Sequence, residues 1–389
     1  MMSKDRFILI GNYEPDRQES MQRFSQMLQD GLLEAGYVVE LWKPTVWLGK
    51  WSKSTLQGLG KWLGYIDKWI LFPLQLRWRV QKYKKRKVYF HICDHSNAPY
   101  LPHLPHYQTG ITCHDILAIR GALGHADAYC PASKTGKIFQ NWIGGHLKKA
   151  SILAADSKQT LVHLEEYIGK AITTADRWRV IHVGFNGNFY PLSTREADQL
   201  LTTNVPDLTK PYLLHVGSSL PRKNRNMLVE TLALLTNEWR GVVCFAGQPV
   251  DQPLADRIKE LGIEDRIITV VKPSHQLLLA LYRNCEAFVF PSFSEGFGWP
   301  VIEAQACGVP VISSSIQPIP EVSGDGALLA DPHQPVSFAD AFRQLHQPGK
   351  REELIQLGYQ NCERFKVADM IDAYLNLYGL TRLTPAVCS

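Results

Sequence analysis

Long apolar runs are missing from this sequence of 389 residues. None approaches the ~20 residues that a membrane-spanning helix requires. The stretch Phe7–Ile10 is too short for the apolar core of an export leader, so neither a span nor a signal peptide is expected. Paired cysteine spacing is also absent. Cys93, Cys113, Cys130, Cys244, Cys285, Cys307, Cys362 and Cys388 lie singly, several inside strand-like runs. That arrangement suits reduced, buried thiols in a cytoplasm better than disulfides or a zinc site. There is no repeat of solenoid period and no low-complexity tract. Acidic residues nearly vanish between Trp42 and Lys87. Asp67 is the single acid there, against twelve Lys or Arg and six of the ten tryptophans, so this segment exceeds the whole net charge of +5.

What is present describes an ordinary soluble globular protein, with 45% hydrophobic and 20% charged residues and length enough for two or three domains. Strand and helix patterns alternate from the start: Arg6–Ile10, then Ser20–Ala35 closed by Gly36, then Tyr37–Leu41, a βαβ opening that predicts a parallel sheet. Val88–Cys93, Gly110–Cys113, Ala128–Pro131, Ser151–Ala155 and Arg179–Ile181 read as further strands. A second doubly wound sheet is expected from Tyr212–Val216, Val242–Phe245, Ile267–Val271, Ala287–Phe290 and Val309–Ser313. The expected organisation is a first domain over 1–187 with an insert at 42–87, a linker at 188–210, a second domain over 211–360, and a terminal helix and tail over 361–389.

The most informative stretch is Pro291-Ser-Phe-Ser-Glu-Gly-Phe-Gly-Trp-Pro-Val-Ile-Glu303. It follows a short apolar strand, Pro300 suits a first helical position and Gly308 suits a helix end, so Glu295 and Glu303 flank a strand-to-helix turn. Backbone N–H groups of Gly296, Phe297 and Gly298 at that helix start can hold an anion such as a diphosphate. The two carboxylates suit hydroxyl groups instead. A nucleotide sugar offers both.

This arrangement resembles the Glu-seven-residues-Glu motif of the GT4 family of retaining glycosyltransferases, whose GT-B fold (α/β) has two facing Rossmann-like domains and an interdomain cleft. His215-Val-Gly-Ser-Ser-Leu-Pro-Arg-Lys-Asn224 is similar to the family's strand-turn with an Arg-Lys pair, and Thr112-Cys-His-Asp115 to its first-domain His-Asp. The likeness extends over nearly the whole chain, while Asn12–Ser20 departs from the usual Gly-Gly loop. The resemblance implies that Glu295 binds donor-sugar hydroxyls, Glu303 the ribose and the Gly296–Gly298 amides the phosphate. It implies that His114 approaches the donor sugar, that configuration is retained, and that the last helix, about 364–380, returns to the first domain.

Ligands of open α/β sheets sit beyond the carboxyl ends of strands. That rule selects Gly11, Asn12 and Tyr13, Asp94 and His95, His114 and Asp115, Gly217 to Lys223, and Glu295 to Gly298. Arg222 and Lys223 place a guanidinium fork and an ammonium where a diphosphate leaving group gains charge, catalysis that needs no metal. Asp94, His95 and Asp115 are candidates for the acceptor side. His103 and His106 offer two imidazoles, but the intervening prolines keep them off one helix face, and no metal or other cofactor is expected.

In the insert, Trp62, Tyr65, Trp69, Phe72 and Leu76 recur at helical spacing, and Lys82, Lys84, Lys85, Arg86 and Lys87 supply a run of cations. This is the pattern of a helix lying in a membrane interface. Core packing is the alternative, and nucleic acid is not the expected partner. The expected protein is a cytoplasmic, peripherally membrane-bound retaining hexosyltransferase. Its partners are a nucleotide sugar, a lipid-linked or polysaccharide-precursor acceptor, and an anionic membrane surface. A transferase with a soluble acceptor and a noncatalytic scaffold on the same fold are the competing readings.

Overall fold

The computed structural model describes residues 5–52, 54–55, 58–83, 86–173 and 177–383. Six short apolar stretches form the first sheet: β1 (Arg6–Ile10), β2 (Val38–Trp42), β3 (Val88–Ile92), β4 (Thr109–Cys113), β5 (Ile152–Ala155) and β6 (Arg177–Val180). They pair in parallel in the order β2-β1-β3-β4-β5-β6. Helices cover its faces, which is why β4 and β5 are buried along their whole length. The second sheet comprises β7 (Tyr212–Gly217), β8 (Val242–Gly247), β9 (Ile267–Val271), β10 (Ala287–Phe290), β11 (Val311–Ser314) and β12 (Ala327–Ala330), in the order β12-β11-β10-β7-β8-β9. β12, the four residues Ala-Leu-Leu-Ala, is a sixth strand that the sequence reading did not contain.

The chain divides into two units. The first is Met1–Leu123, Ala132–Asn186 and Lys366–Ser389; the second is Gly124–Pro131 and Gly187–Phe365. The final helix, Val367–Leu377, is therefore part of the first unit. It lies so close to the helix Glu19–Glu34 that a methyl group on Gly31 would stand 2.4 Å from Ile371.

Two expectations fail locally. Ala128–Pro131 is no strand: Tyr129 has φ +47°, incompatible with a strand, and its ring stacks on Phe293 at 4.5 Å within the second unit. The expected linker at 188–210 contains the helix Thr194–Asn204. Ser193 and Glu196 form a reciprocal capping box, and Ala197 and Leu201 are buried in the second unit's core beside Leu277 and Leu281. Seven cysteines are free among the described residues, and Cys93, Cys113, Cys244, Cys285 and Cys307 are buried.

The insert forms a helical stretch, Gly58–Ile66 and Phe72–Gln81, joined by a π-helical turn at Asp67–Leu71. Asp67 is fully buried. Its carboxylate accepts hydrogen bonds from Tyr13 Oη at 2.7 Å and from the backbone N–H groups of Trp47, Leu48 and Gly49 at 2.9 to 3.2 Å. Lys68 pairs with Asp16 at 2.7 Å. The unusual loop after β1 is thus the insert's docking partner.

Candidate active site

Both sheets reverse their strand order once, between β1 and β3 in the first and between β7 and β10 in the second. Loops diverge at such points, leaving a crevice beyond the strand ends. In the second unit, the loops after β7 and β10 carry the motif residues. A 3-10 turn, Pro221–Lys223, follows β7 and ends at Asn224, whose side chain ties the turn to the Pro291 and Pro332 carbonyls. The Phe293 N–H donates to the Arg222 carbonyl at 2.8 Å, fastening the two loops together.

On that frame the three charged side chains meet. Arg222 Nη1 donates to Glu295 Oε2 at 2.5 Å and Lys223 Nζ to Glu295 Oε1 at 2.6 Å. Arg222 also reaches the Ser294 carbonyl at 3.0 Å. Burial acts to raise the Glu295 pKa, yet the charges of Lys223 and Arg222 outweigh it and hold the carboxylate below its usual range.

Gly298 caps the helix Trp299–Ala306 with φ +109°, and a Cβ there would stand 2.8 Å from Ile319. Gly296 and Gly298 thus lie in the turn feeding that helix. Phe297 is a packing anchor, its ring set edge-on to Phe365 at 5.6 Å, so only its backbone is suited to a ligand. Glu303 is buried in the same helix and accepts a hydrogen bond from Tyr282 Oη at 3.1 Å. Gly217 ends β7 beside Gly247, where the strands come so close that a Cβ on Gly247 would stand 2.5 Å from the Gly217 carbonyl oxygen.

The first unit gathers its own cluster at the ends of β1, β3, β4 and β5. Gly11 leaves β1 with its N–H bonded to the Trp42 carbonyl at 2.9 Å. Asn12 donates to Asp94 Oδ2 at 2.5 Å and accepts from Asn97 at 3.0 Å. Asp94 also accepts from the N–H and hydroxyl of Ser96, and His95 Nδ1 lies 3.3 Å from its other oxygen. Burial works to raise the Asp94 pKa, and the His95 and His114 rings and Ser96 bring it below its usual value.

His114 is held within the first unit. Its Nδ1 meets Asp156 Oδ2 at 2.6 Å and its Nε2 meets the Cys93 carbonyl at 2.9 Å, so both ring nitrogens are occupied. Burial acts to lower its pKa, but the charge and hydrogen bond of Asp156, with Asp94, raise it to about 9. It is an imidazolium held between a carboxylate and a carbonyl. Burial lifts the Asp156 carboxyl, and His114 offsets only part of that lift. Asp115 Oδ1 accepts the Leu117 N–H at 2.9 Å, at the start of the helix Leu117–Leu123.

Asp156, Asn97 and Tyr282 were not read from the sequence. Asp156 follows β5, so the strand-end rule that selected Asp94 would have found it. Tyr282 lies inside the helix His275–Asn284 and carries no such signal. A cavity of about 640 Å³ beside Arg177, Arg179 and Leu377 contains none of the candidate residues, so the site is defined by its charged groups rather than by cavity size.

Of the membrane candidates, Trp62 is exposed, while Trp69 is half-buried against the first unit's core, its ring 5.2 Å from Tyr100 and 5.1 Å from Trp142. Phe72 and Leu76 are fully buried. Lys82 and Arg86 are exposed, Lys87 pairs with Asp5 at 2.8 Å, and Lys84 and Lys85 lie outside the described residues.

Two parallel sheets, each with a polar cluster beyond the strand ends at its switch point, make an α/β protein of two such units. The family described as glycosyl transferases group 1 matches residues 199–361, nearly all of the second unit's continuous part. The O-antigen chain mannosyltransferase B of Escherichia coli is 26% identical over 320 residues, covering 80% of this chain and 78% of that protein. Among solved structures, sucrose-phosphate synthase from Thermosynechococcus elongatus superposes with a TM-score of 0.69 at 20% identity, covering 97% of this chain and 98% of that one. The Anabaena protein HepE, in complex with UDP and glucose, gives 0.68 at 17% identity, covering 96% and 99%. The fold is GT-B, and residues 199–361 of the second unit match the group 1 glycosyl transferases.

Proposed function

We propose that the protein is a retaining hexosyltransferase of the GT4 type, independent of metal. It would carry a sugar from a nucleoside diphosphate to a lipid-linked or polysaccharide-precursor acceptor at the cytoplasmic face of the membrane. The observation that carries the reading is the convergence of Arg222 and Lys223 on Glu295 at the β7/β10 switch point. Two cations on one carboxylate leave an excess positive charge, which suits a diphosphate whose charge grows as its bond to the sugar breaks. Glu295, already ionised, accepts hydrogen bonds from donor-sugar hydroxyls, and Glu303 accepts one from the ribose. A nucleoside diphosphate leaves without protonation by a general acid. In same-face attack the acceptor oxygen bonds to the anomeric carbon, the carbon–phosphate oxygen bond breaks, and the departing phosphate takes the acceptor's proton. His114, with both nitrogens engaged, contributes fixed positive charge and the position of the β4 loop. The acceptor class is supported by the name of the Escherichia coli relative.

Thermal-shift screening against UDP-, GDP- and ADP-sugars tests the donor step. A ligand at 100 times its dissociation constant stabilises by ~2.7 kcal/mol. If no nucleotide sugar raises the melting temperature or is turned over, the reading fails.

A further inference from the structure

The helical stretch Gly58–Gln81 has a second face that the first unit does not cover. Its inward side is made by Gly60 and Gly64 before the π turn, Asp67 in it, and Phe72, Pro73 and Leu76 after it, all buried. Gly60 is required there, because a Cβ would fall 2.0 Å from Ser52 Oγ and from the Ser54 carbonyl oxygen. The opposite side bears Leu59 (84% exposed), Trp62 (59%), Ile70 (55%), Leu74 (57%) and Trp78 (62%). Ile70, Leu74 and Trp78 follow one another at the four-residue spacing of a helix stripe. Trp62, eight residues before Ile70, is exposed as well. Trp47 and Trp51 are also exposed, on the segment whose backbone Asp67 holds.

Exposed cations surround this apolar stripe: Lys50, Lys61, Arg77, Lys82 and Arg86, with Lys82 Nζ 3.9 Å from the Trp78 ring centroid. The one acid of the helical stretch, Asp67, is buried. We infer that this face docks the protein on an anionic lipid surface, its leucine, isoleucine and tryptophan side chains in the headgroup boundary and its cations on lipid phosphates. This inference rests on the reading that the acceptor is membrane-bound, and names the surface that brings the enzyme to it. A second copy of the same face would set like charges against each other. A single-stranded nucleic acid would find no stacking partner in Leu59, Ile70 or Leu74. An apolar centre with a basic rim is the composition that interfacial helices use, and both terms strengthen on anionic lipid.

The test is sedimentation of the full chain with phosphatidylcholine vesicles, with and without phosphatidylglycerol, at low salt. Wild type is expected to sediment with the phosphatidylglycerol vesicles. The fourfold variant Trp62→Ser, Ile70→Ser, Leu74→Ser, Trp78→Ser is expected to lose at least about tenfold in affinity. Lys61→Gln, Arg77→Gln, Lys82→Gln, Arg86→Gln together should remove the preference for the anionic lipid. Should the fourfold variant misfold, Trp62→Ser and Leu74→Ser singly, each expected to lose part of the affinity, decide the matter. Wild type ignoring phosphatidylglycerol vesicles, or apolar variants binding as well as wild type, overturns the assignment. So does a lipid-free dimer, seen by analytical centrifugation, that the apolar variant dissolves. Donor turnover with the UDP-, GDP- and ADP-sugars reports separately. Its absence beside intact vesicle binding would sink the proposed activity and leave the docking face standing.

Discussion

The two switch points are built alike and charged oppositely. At the end of the second sheet, Arg222 and Lys223 close on the single carboxylate Glu295. At the end of the first, two carboxylates, Asp94 and Asp156, surround the single imidazolium His114, with amides and hydroxyls filling the remaining hydrogen bonds. A diphosphate is attracted to the first arrangement and repelled by the second, whereas a hydroxyl acceptor donates readily to a carboxylate. Parallel sheets supply the crevice in either unit, and the residues on two or three loops decide the charge it presents.

Removing the cation excess is the strongest way to break this contrast. Lys223→Ala or Arg222→Ala is expected to lower turnover by about 10²- to 10³-fold, the scale for one lost electrostatic contact to a developing charge. Initial rates of nucleoside diphosphate release measure it. Rates within twofold of wild type would deny the pair its role.

The next contrast is in stability against pH. The folded pKa of His114 is raised from 6.5 to about 9, so its stabilisation is complete below pH 6.5 and is lost as the pH rises through 9. A difference of that size corresponds to about 3 kcal/mol. Glu295 has the opposite sign: its pKa is lowered from 4.5, so its contribution is present above pH 4.5 and fades in more acidic solution. Thermal unfolding of wild type and His114→Gln across about pH 6 to 10, where Glu295 stays ionised, reads the His114 part alone. An alkaline decline of equal depth in the variant would show that another group causes it.

A smaller effect is expected from Glu303→Gln, which keeps an acceptor for Tyr282 but removes the charge offered to a ribose hydroxyl. Calorimetry with the nucleoside diphosphate alone should show binding weaker by about tenfold, or 1.4 kcal/mol. Undiminished affinity would remove the ribose contact. The smallest expected effect is none: with Arg222 and Lys223 neutralising the leaving group, excess EDTA should leave the rate unchanged. A loss restored by one divalent ion would refute metal independence.

Local sequence pattern determined most of the strands, the two parallel sheets, the helix start after Glu295 and the Arg-Lys turn, because each is written in residues a few positions apart: apolar runs, Pro300, Gly298, Gly36. The capping box Ser193–Glu196 was equally local and contradicts a plain linker. Tertiary structure alone decided which partners those residues found. Glu295 meets cations more than seventy positions earlier, and His114 finds Asp156 only because β4 and β5 are neighbours in the first sheet. The insert shows the same limit in one helical stretch. Spacing foresaw an amphipathic helix, and of the stripe assigned to lipid Trp62 is exposed, while Tyr65 and Trp69 lie half-buried and Phe72 and Leu76 face inward. Asp67, buried in the π turn with four hydrogen-bonded neighbours, ties the helical stretch to the first unit, and the exposed residues are Leu59, Trp62, Ile70, Leu74 and Trp78. Periodicity gives a helix two faces; which one is covered depends on what the rest of the chain packs against it.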